Sequence, residues 1–199
     1  MDTVERKILD AAKKTFLNKG FQKANMADIA AEVGLTRPAM NYYFRTKERL
    51  FQAVFSEILS SFIPQIKNFV TSDLSLEDKI SMIVDSYMNV FRESPELPYF
   101  IICEINRDMH NLINLATTNN VAEVAQSLLD TLMKEMDEGR IRKMPVIYVA
   151  ITFYGLMMTP FLARPFGTNI FNINTIDADF LKTWKDNVVN QMLVLLKCQ

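Results

Sequence analysis

The chain has little with which to build tight turns or cross-links. Five Gly and seven Pro among 199 residues are too few for a β-sandwich or barrel, whose many short strands each end in a turn. Two cysteines, Cys103 and Cys198, stand far apart and fit a reduced, cytoplasmic protein better than a disulfide scaffold. A single histidine, His110, gives no metal-ligand spacing with them. Neither a Gly-rich phosphate loop nor a Ser/His/Asp set is evident, so the reading is not an enzyme, with no catalytic residue, metal or cofactor. The N-terminus turns amphipathic and charged at once, so no signal peptide is expected. One long apolar run, Met144 to Ala163, approaches bilayer length but contains Pro145, Gly155 and Pro160. It reads as a helix buried on nearly all sides, at a subunit interface, rather than as a membrane span.

What is present favours helices. Apolar residues make up 49% and charged ones 23%, ordinary for a globular chain, and Met, Leu, Ile, Lys and Glu abound. The net charge of -1 hides an asymmetry. Residues 1–50 hold ten Lys/Arg against six acids, and the remainder twelve against seventeen. A basic head on an acidic body implies that the head alone meets a polyanion.

Periodicity divides the chain into nine helices. Val4, Ile8, Ala11, Ala12, Phe16 and Leu17 mark the first, ended by Gly20. Asn25 caps a second, which stops at Gly34, and Thr36 caps a third through about Tyr43, with Pro38 in its first turn. A fourth runs from near Thr46 toward Val70, and a fifth follows through Phe91 to Ser94-Pro95. A sixth covers about Pro98 to Leu115, and a seventh Val121 to Glu138, closed by Gly139. The apolar run is the eighth; a loop from Arg164 to Asn174 precedes a last helix bearing Trp184, Val188 and Met192. The expected fold is all-α: a three-helix head with a helix-turn-helix over 1–48, then a helical bundle over 49–199 that binds a ligand and dimerises.

Met26 to Arg45 is the informative stretch. Gly34 permits the positive φ of a tight turn, and Ala30 lets two short helices cross closely. Ile29, Val33, Leu35, Met40 and Tyr43 are spaced to clamp them together. With Gly20-Phe21, Asn25 to Ala30, Val33 to Arg37, Tyr43-Phe44 and Thr46 to Leu50, this stretch resembles the TetR family of transcriptional repressors, over about the first quarter of the chain.

That resemblance implies a cytoplasmic homodimer that binds a palindromic operator in double-stranded DNA and responds to a small, mostly apolar effector. It makes the third helix the reading helix, with Thr36, Arg37, Pro38, Ala39, Asn41 and Tyr42 on its exposed face. Arg37 is suited to a guanine edge and Asn41 to adenine or phosphate. Tyr43, Lys47 and Asn25 stand where the family contacts phosphate. Asn41 replaces a usual tyrosine and Tyr42 a usual histidine or polar residue, a departure that implies a phosphate contact either lost or moved one residue along. The resemblance also implies dimerisation through the last two helices and a pocket in the body. Tyr87, Met88, Phe91, Phe100, Cys103, Glu104, Arg107, Phe153, Tyr154 and Met157 are the candidate lining, adaptable apolar groups with a few polar ones. A membrane-associated helical interaction protein without DNA binding is the rival reading; the resemblance implies no membrane.

Overall fold

The computed structural model describes residues 3–118 and 121–198. All its regular elements are helices: α1 (Thr3–Lys23), α2 (Met26–Glu32), α3 (Arg37–Tyr43), α4 (Lys47–Thr71), α5 (Leu76–Glu93), α6 (Leu97–Arg107), α7 (Met109–Thr118), α8 (Val121–Asp137), α9 (Val146–Leu162), α10 (Arg164–Phe171) and α11 (Ala178–Leu196). They form two compact units, Met1–Ser61 with Phe100–Asn119, and Phe62–Tyr99 with Asn120–Gln199. Packing thus draws α7 and most of α6 into the unit that contains the head, beyond the boundary read at 48/49. That boundary separates proposed roles; these units separate packed cores.

The first unit is assembled from short pieces that local chemistry starts and stops. Gly20, at φ 71°, interrupts α1 before a last turn through Lys23, so the glycine breaks the helix three residues before its end. Asn25 Oδ1 accepts the Ala27 amide at 2.9 Å and starts α2. After α2 the Leu35 amide donates to Ala30 O at 2.8 Å and the Gly34 amide to Ala31 O at 3.1 Å. This 6→1 and 5→2 pair requires the left-handed φ of 72° that Gly34 supplies. Phe16, Phe51, Phe55 and Phe100 form an aromatic chain beneath, with centroids 5.3 to 6.0 Å apart.

The helix expected over 98–115 is two. Asp108 Oδ1 accepts the Asn111 amide at 3.0 Å and so caps a new start, α7. A short carboxylate that bonds nearby backbone competes with helix continuation, and it prevails here.

The second unit is built around α11, which packs on α5 and α9. Val188, Met192 and Leu196 are buried, as are Ile80, Val84, Tyr87 and Phe91 of α5. Lys185 and Asp85 join α11 to α5 at 2.5 Å. Pro160 inside α9 has no amide hydrogen, which leaves the carbonyl of Leu156 without its helical donor. The indole Nε1 of Trp184 donates to that carbonyl at 2.9 Å. The segment 164–174, expected as a loop, holds α10. Pro165 lies within its first two positions, where the missing amide is harmless, and Asn172 ends it in a left-handed conformation at φ 55°.

Nor is α9 buried on nearly all sides within this chain. Ile147, Tyr148, Ile151, Tyr154 and Leu162 are exposed along one stripe, Ile151 by 64%. Among the described residues no single helix is long and apolar enough to cross a membrane; α9 and α10 pass that test only as a pair bent by 56°.

The proline–tryptophan arrangement gives a test. Trp184→Phe removes the indole donor and leaves Leu156 O unpaired, so urea unfolding should show a loss of about 1–2 kcal/mol. Retention of full stability would mean that solvent satisfies this carbonyl.

Candidate nucleic-acid interface and ligand cavity

In the head, Ile29, Ala30 and Met40 are buried, while Val33, Leu35 and Tyr43 are half-buried. The seam is therefore one-sided, and the other side of α3 faces outward. Thr36, Arg37, Pro38, Asn41 and Tyr42 are exposed and Ala39 is half-exposed; Tyr42 reaches 85%. Thr36 Oγ1 accepts the Ala39 amide at 3.4 Å, a loose cap. Tyr42 and Tyr43 meet edge to face at 5.3 Å.

Ion pairs sort the head's cations. Arg6 is held by Asp10 and Glu57, Lys14 by Glu32 and Lys19 by Asp28. Among the described residues Arg37, Arg45 and Arg49 have no such partner, and all three are exposed. Arg45 and Arg49 were not among the residues singled out in the sequence. Their signal was the alternation Arg45, Lys47, Arg49 just after α3. Lys47 itself is engaged: its ammonium donates to Gln22 O at 3.3 Å and Ala24 O at 3.2 Å, and lies 4.6 Å from the Phe21 ring centre. It closes the end of α1, which leaves one N–H for any phosphate.

Glu104 proves to be buried and Arg107 half-buried. Glu104 is only 2% exposed, and Arg107 Nε donates to its Oε2 at 2.6 Å. The guanidinium stacks over Phe21, 4.3 Å from the ring centre, and near Phe51 at 5.3 Å. This places a charged clamp against the residue that follows Gly20. Phe100 is buried in the same unit and Cys103 is half-buried.

The second unit holds a cavity of about 110 Å3, or about 690 Å3 of empty space counting its open mouth. Ile66 and Phe69 of α4, Ile80, Ile83 and Tyr87 of α5, and Leu128, Leu129 and Leu132 of α8 form much of its wall. Val149, Phe153 and Tyr154 of α9 and Met192 and Leu196 of α11 contribute to the rest. Its side-chain polar atoms are two hydroxyls, Tyr87 Oη and Tyr154 Oη, 3.3 Å apart. Burial, reinforced by Tyr154, raises the Tyr87 pKa well above the ordinary phenol range, so it stays a neutral hydrogen-bonding group.

Of the ten pocket candidates, Tyr87, Phe153 and Tyr154 line this cavity. Met88, Phe91 and Met157 are buried in the same unit but outside the wall, and Phe100, Cys103, Glu104 and Arg107 belong to the other unit. The leucines of α8 and the α4 pair Ile66 and Phe69 were missed. An aliphatic wall residue looks like core in a sequence, and only an unbalanced apolar stripe on α8 hinted otherwise.

Residues 8–54 match the family described as bacterial regulatory proteins, tetR family. The chain is 20% identical over 137 residues to the fatty acid metabolism regulator protein of Bacillus subtilis, covering 68% of this chain and 70% of that one. A tetR-family regulatory protein from Rhodococcus RHA1 superposes with a TM-score of 0.75 at 16% identity, over 100% of both chains. FadR from Bacillus subtilis, solved in complex with stearoyl-CoA, gives 0.64 at 17% identity over 94% of this chain and 96% of that one. These likenesses establish the all-helical fold with an N-terminal helix-turn-helix.

The buried clamp is testable. Glu104→Ala removes the close partner of Arg107 and leaves it only the longer pair with Asp108 at 3.8 Å, so stability in urea unfolding should fall by about 2 kcal/mol. Glu104→Gln, which keeps an acceptor oxygen, should lose less; equal losses would mean that packing, not charge, sets the value of the pair.

Proposed function

Because the chain belongs to the tetR family of bacterial regulatory proteins, we propose that it is a repressor. In this reading it binds a palindromic operator as a homodimer and leaves it when a small, mostly apolar effector enters the α4–α5–α8–α9–α11 cavity. The observation that carries this is the outward face of α3. Thr36, Arg37, Pro38, Asn41 and Tyr42 are exposed on a helix whose opposite side is buried, and the Arg37 guanidinium is uncompensated among the described residues. Such a helix presents donors to base edges in a major groove. Asn25, Ala39, Tyr43 and the one remaining N–H of Lys47 flank it as backbone contacts, and Arg45 and Arg49 add positive charge.

The exposed stripe of α9 supports the dimer. Ile147, Tyr148, Ile151 and Leu162 lie with the small Gly155 and Thr159 along one side, and Val194 of α11 is 66% exposed. Apolar area of this extent, covered by a second copy, drives association at roughly 25 cal/mol per Å2. Two-fold pairing then sets two reading helices about one DNA turn, or a multiple of it, apart.

The cavity supports an effector with hydrocarbon bulk, since two phenol hydroxyls are the polar groups of its side-chain wall. The fatty acid regulator and the stearoyl-CoA complex among the similar proteins support the same class. Ligand and DNA oppose one another if the ligand-bound state holds the heads at the wrong spacing, by roughly 1–3 kcal/mol of coupling. Helix α4 begins at Lys47 beside the reading helix and lines the cavity with Ile66 and Phe69, which makes it the lever.

Selection of bound sequences from a random duplex pool should return a two-fold symmetric motif; recovery of no motif would remove the repressor reading. Arg37→Ala should lower specific over non-specific affinity about 10- to 100-fold with an unchanged melting temperature. An equal fall in both affinities would assign Arg37 to phosphate instead. Ile151→Glu should shift sedimentation from dimer to monomer, and a persisting dimer would place the interface elsewhere.

A further inference from the structure

Beside the apolar cavity lies a second, polar one of about 310 Å3, and the two share Phe69 and Leu132 in their walls. It is formed by the α4–α5 connection, the first turn of α5, the C-terminal half of α8 and the turn at Arg140. We infer that it is the head-group subsite of an amphipathic effector, one that carries a carboxylate on a hydrocarbon tail. The inference rests on the reading of the apolar cavity as the effector site, and adds where the ligand's polar end goes.

Two groups in the polar cavity lack what they need. Ser72 Oγ is out of contact with solvent and has no hydrogen-bond partner among the described residues. A buried hydroxyl in that state is disfavoured and is relieved by any acceptor brought to it. Lys79 has no carboxylate within ion-pair distance among the described residues, and its charge acts only at longer range on Glu135, whose closer partner is Arg140; its ammonium lies 6.0 Å from the centre of the Phe69 ring, a residue that lines both cavities.

The other charges there are matched. Arg140 makes two hydrogen bonds to Glu135, at 2.6 and 2.8 Å, and an ion pair with Glu138. Thr131 Oγ1 donates to Ser127 O at 2.8 Å. Asp73, the remaining acid of the wall, is exposed to water, which screens it. What is left over is one cation and one hydroxyl donor beside an aromatic partition, with hydrocarbon on its other side. A carboxylate takes both donors through charge-assisted bonds. Its tail would pass between Phe69 and Leu132 into the apolar cavity. A head of opposite sign would meet Lys79 unfavourably, and a purely apolar ligand would leave Ser72 unsatisfied.

Decanoate and 1-decanol share a tail and differ in the head, so their binding to the full-length protein, read by isothermal titration calorimetry, separates the two cavities. Wild type should bind decanoate more tightly than 1-decanol. Lys79→Met, which keeps the length and removes the charge, should weaken decanoate about tenfold and leave 1-decanol within twofold. Ser72→Ala should weaken decanoate about threefold with a melting temperature unchanged or raised, a combination that a structural serine would not give. If both probes bind wild type and neither substitution alters their ratio, the head-group subsite is overturned while the apolar cavity stands. If neither probe binds wild type, the apolar-effector reading falls and this inference falls with it. Should Lys79→Met fail to fold, Ser72→Ala decides alone by the same criterion.

Discussion

Helices of seven residues do not persist in water, because nucleation is unfavourable and few hydrogen bonds follow it. Both α2 and α3 are seven residues long, and the functional reading depends on their standing in one arrangement. The constraint that holds them is the turn at Gly34. Its left-handed φ lets the Leu35 amide reach back to Ala30 O, which satisfies carbonyls at the end of α2 and sets the direction in which α3 departs. Ile29, Ala30 and Met40 then bury one side of the pair. The outward face of α3 is a by-product of that geometry: once one side of so short a helix is committed to the seam, the other has only solvent. Polar and cationic side chains stand there without any residue of the face having to hold the fold.

The same logic explains why the head was legible in the sequence. Caps, a turn glycine and a first-turn proline act over two to five residues, and Asn25, Gly34, Thr36 and Pro38 each do in the structure what their local chemistry dictates. The body was legible as mostly helical, and its cavity only through Tyr87, Phe153 and Tyr154. Asp108 starts a new helix by a bond to the Asn111 amide, and nothing in the periodicity from Pro98 to Leu115 distinguishes that from a surface aspartate. Pro165 and Gly167 read as breakers, yet one sits at a helix start. The other is required because Thr175 and the Ile173 carbonyl approach within 2.5 and 3.1 Å of where a Cβ would stand. Long-range approach of this kind leaves no local trace. Cavity walls are harder still: Leu128 and Ile66 differ from core residues only in what fails to touch them.

Charge follows a different rule from packing. The sequence shows ten basic residues in the first fifty, but only the structure shows which of them acids consume. Arg6, Lys14 and Lys19 are tied to carboxylates, and Lys47 to backbone carbonyls and a ring. Exposed pairs of this sort add little stability, at most about 1 kcal/mol each. Among the described residues they leave Arg37, Arg45 and Arg49 near α3, and Lys7, Lys13 and Lys23 along α1, outside such pairs. Unmatched positive charge therefore remains at the start of α3 and of α4 as well as along α1.

The apolar run from Met144 to Ala163 shows how composition underdetermines environment. Hydrocarbon of that length suits a bilayer, a core or a subunit interface equally well, and the physical distinction lies in how the backbone and its surroundings are arranged. Pro160 frees a carbonyl that the Trp184 indole takes up, so this part of α9 depends on α11. The break before α10 bends the path by 56°, which shortens its reach along any single direction. On the opposite side Gly155 and Thr159 interrupt the larger Ile147, Tyr148, Ile151 and Leu162 and leave a shallow groove. Small residues between large ones on a helix face let another helix approach closely and interlock, the geometry of ridges packed into grooves. Lipid tails adapt to any apolar profile and exert no demand for such a groove, whereas a second helix does. The pattern on α9 is thus better matched to protein than to lipid, and it lies on the helix that also walls the apolar cavity through Val149, Phe153 and Tyr154. Tyr154 belongs to both surfaces: its ring lines the apolar cavity and is part of the exposed apolar stripe of α9.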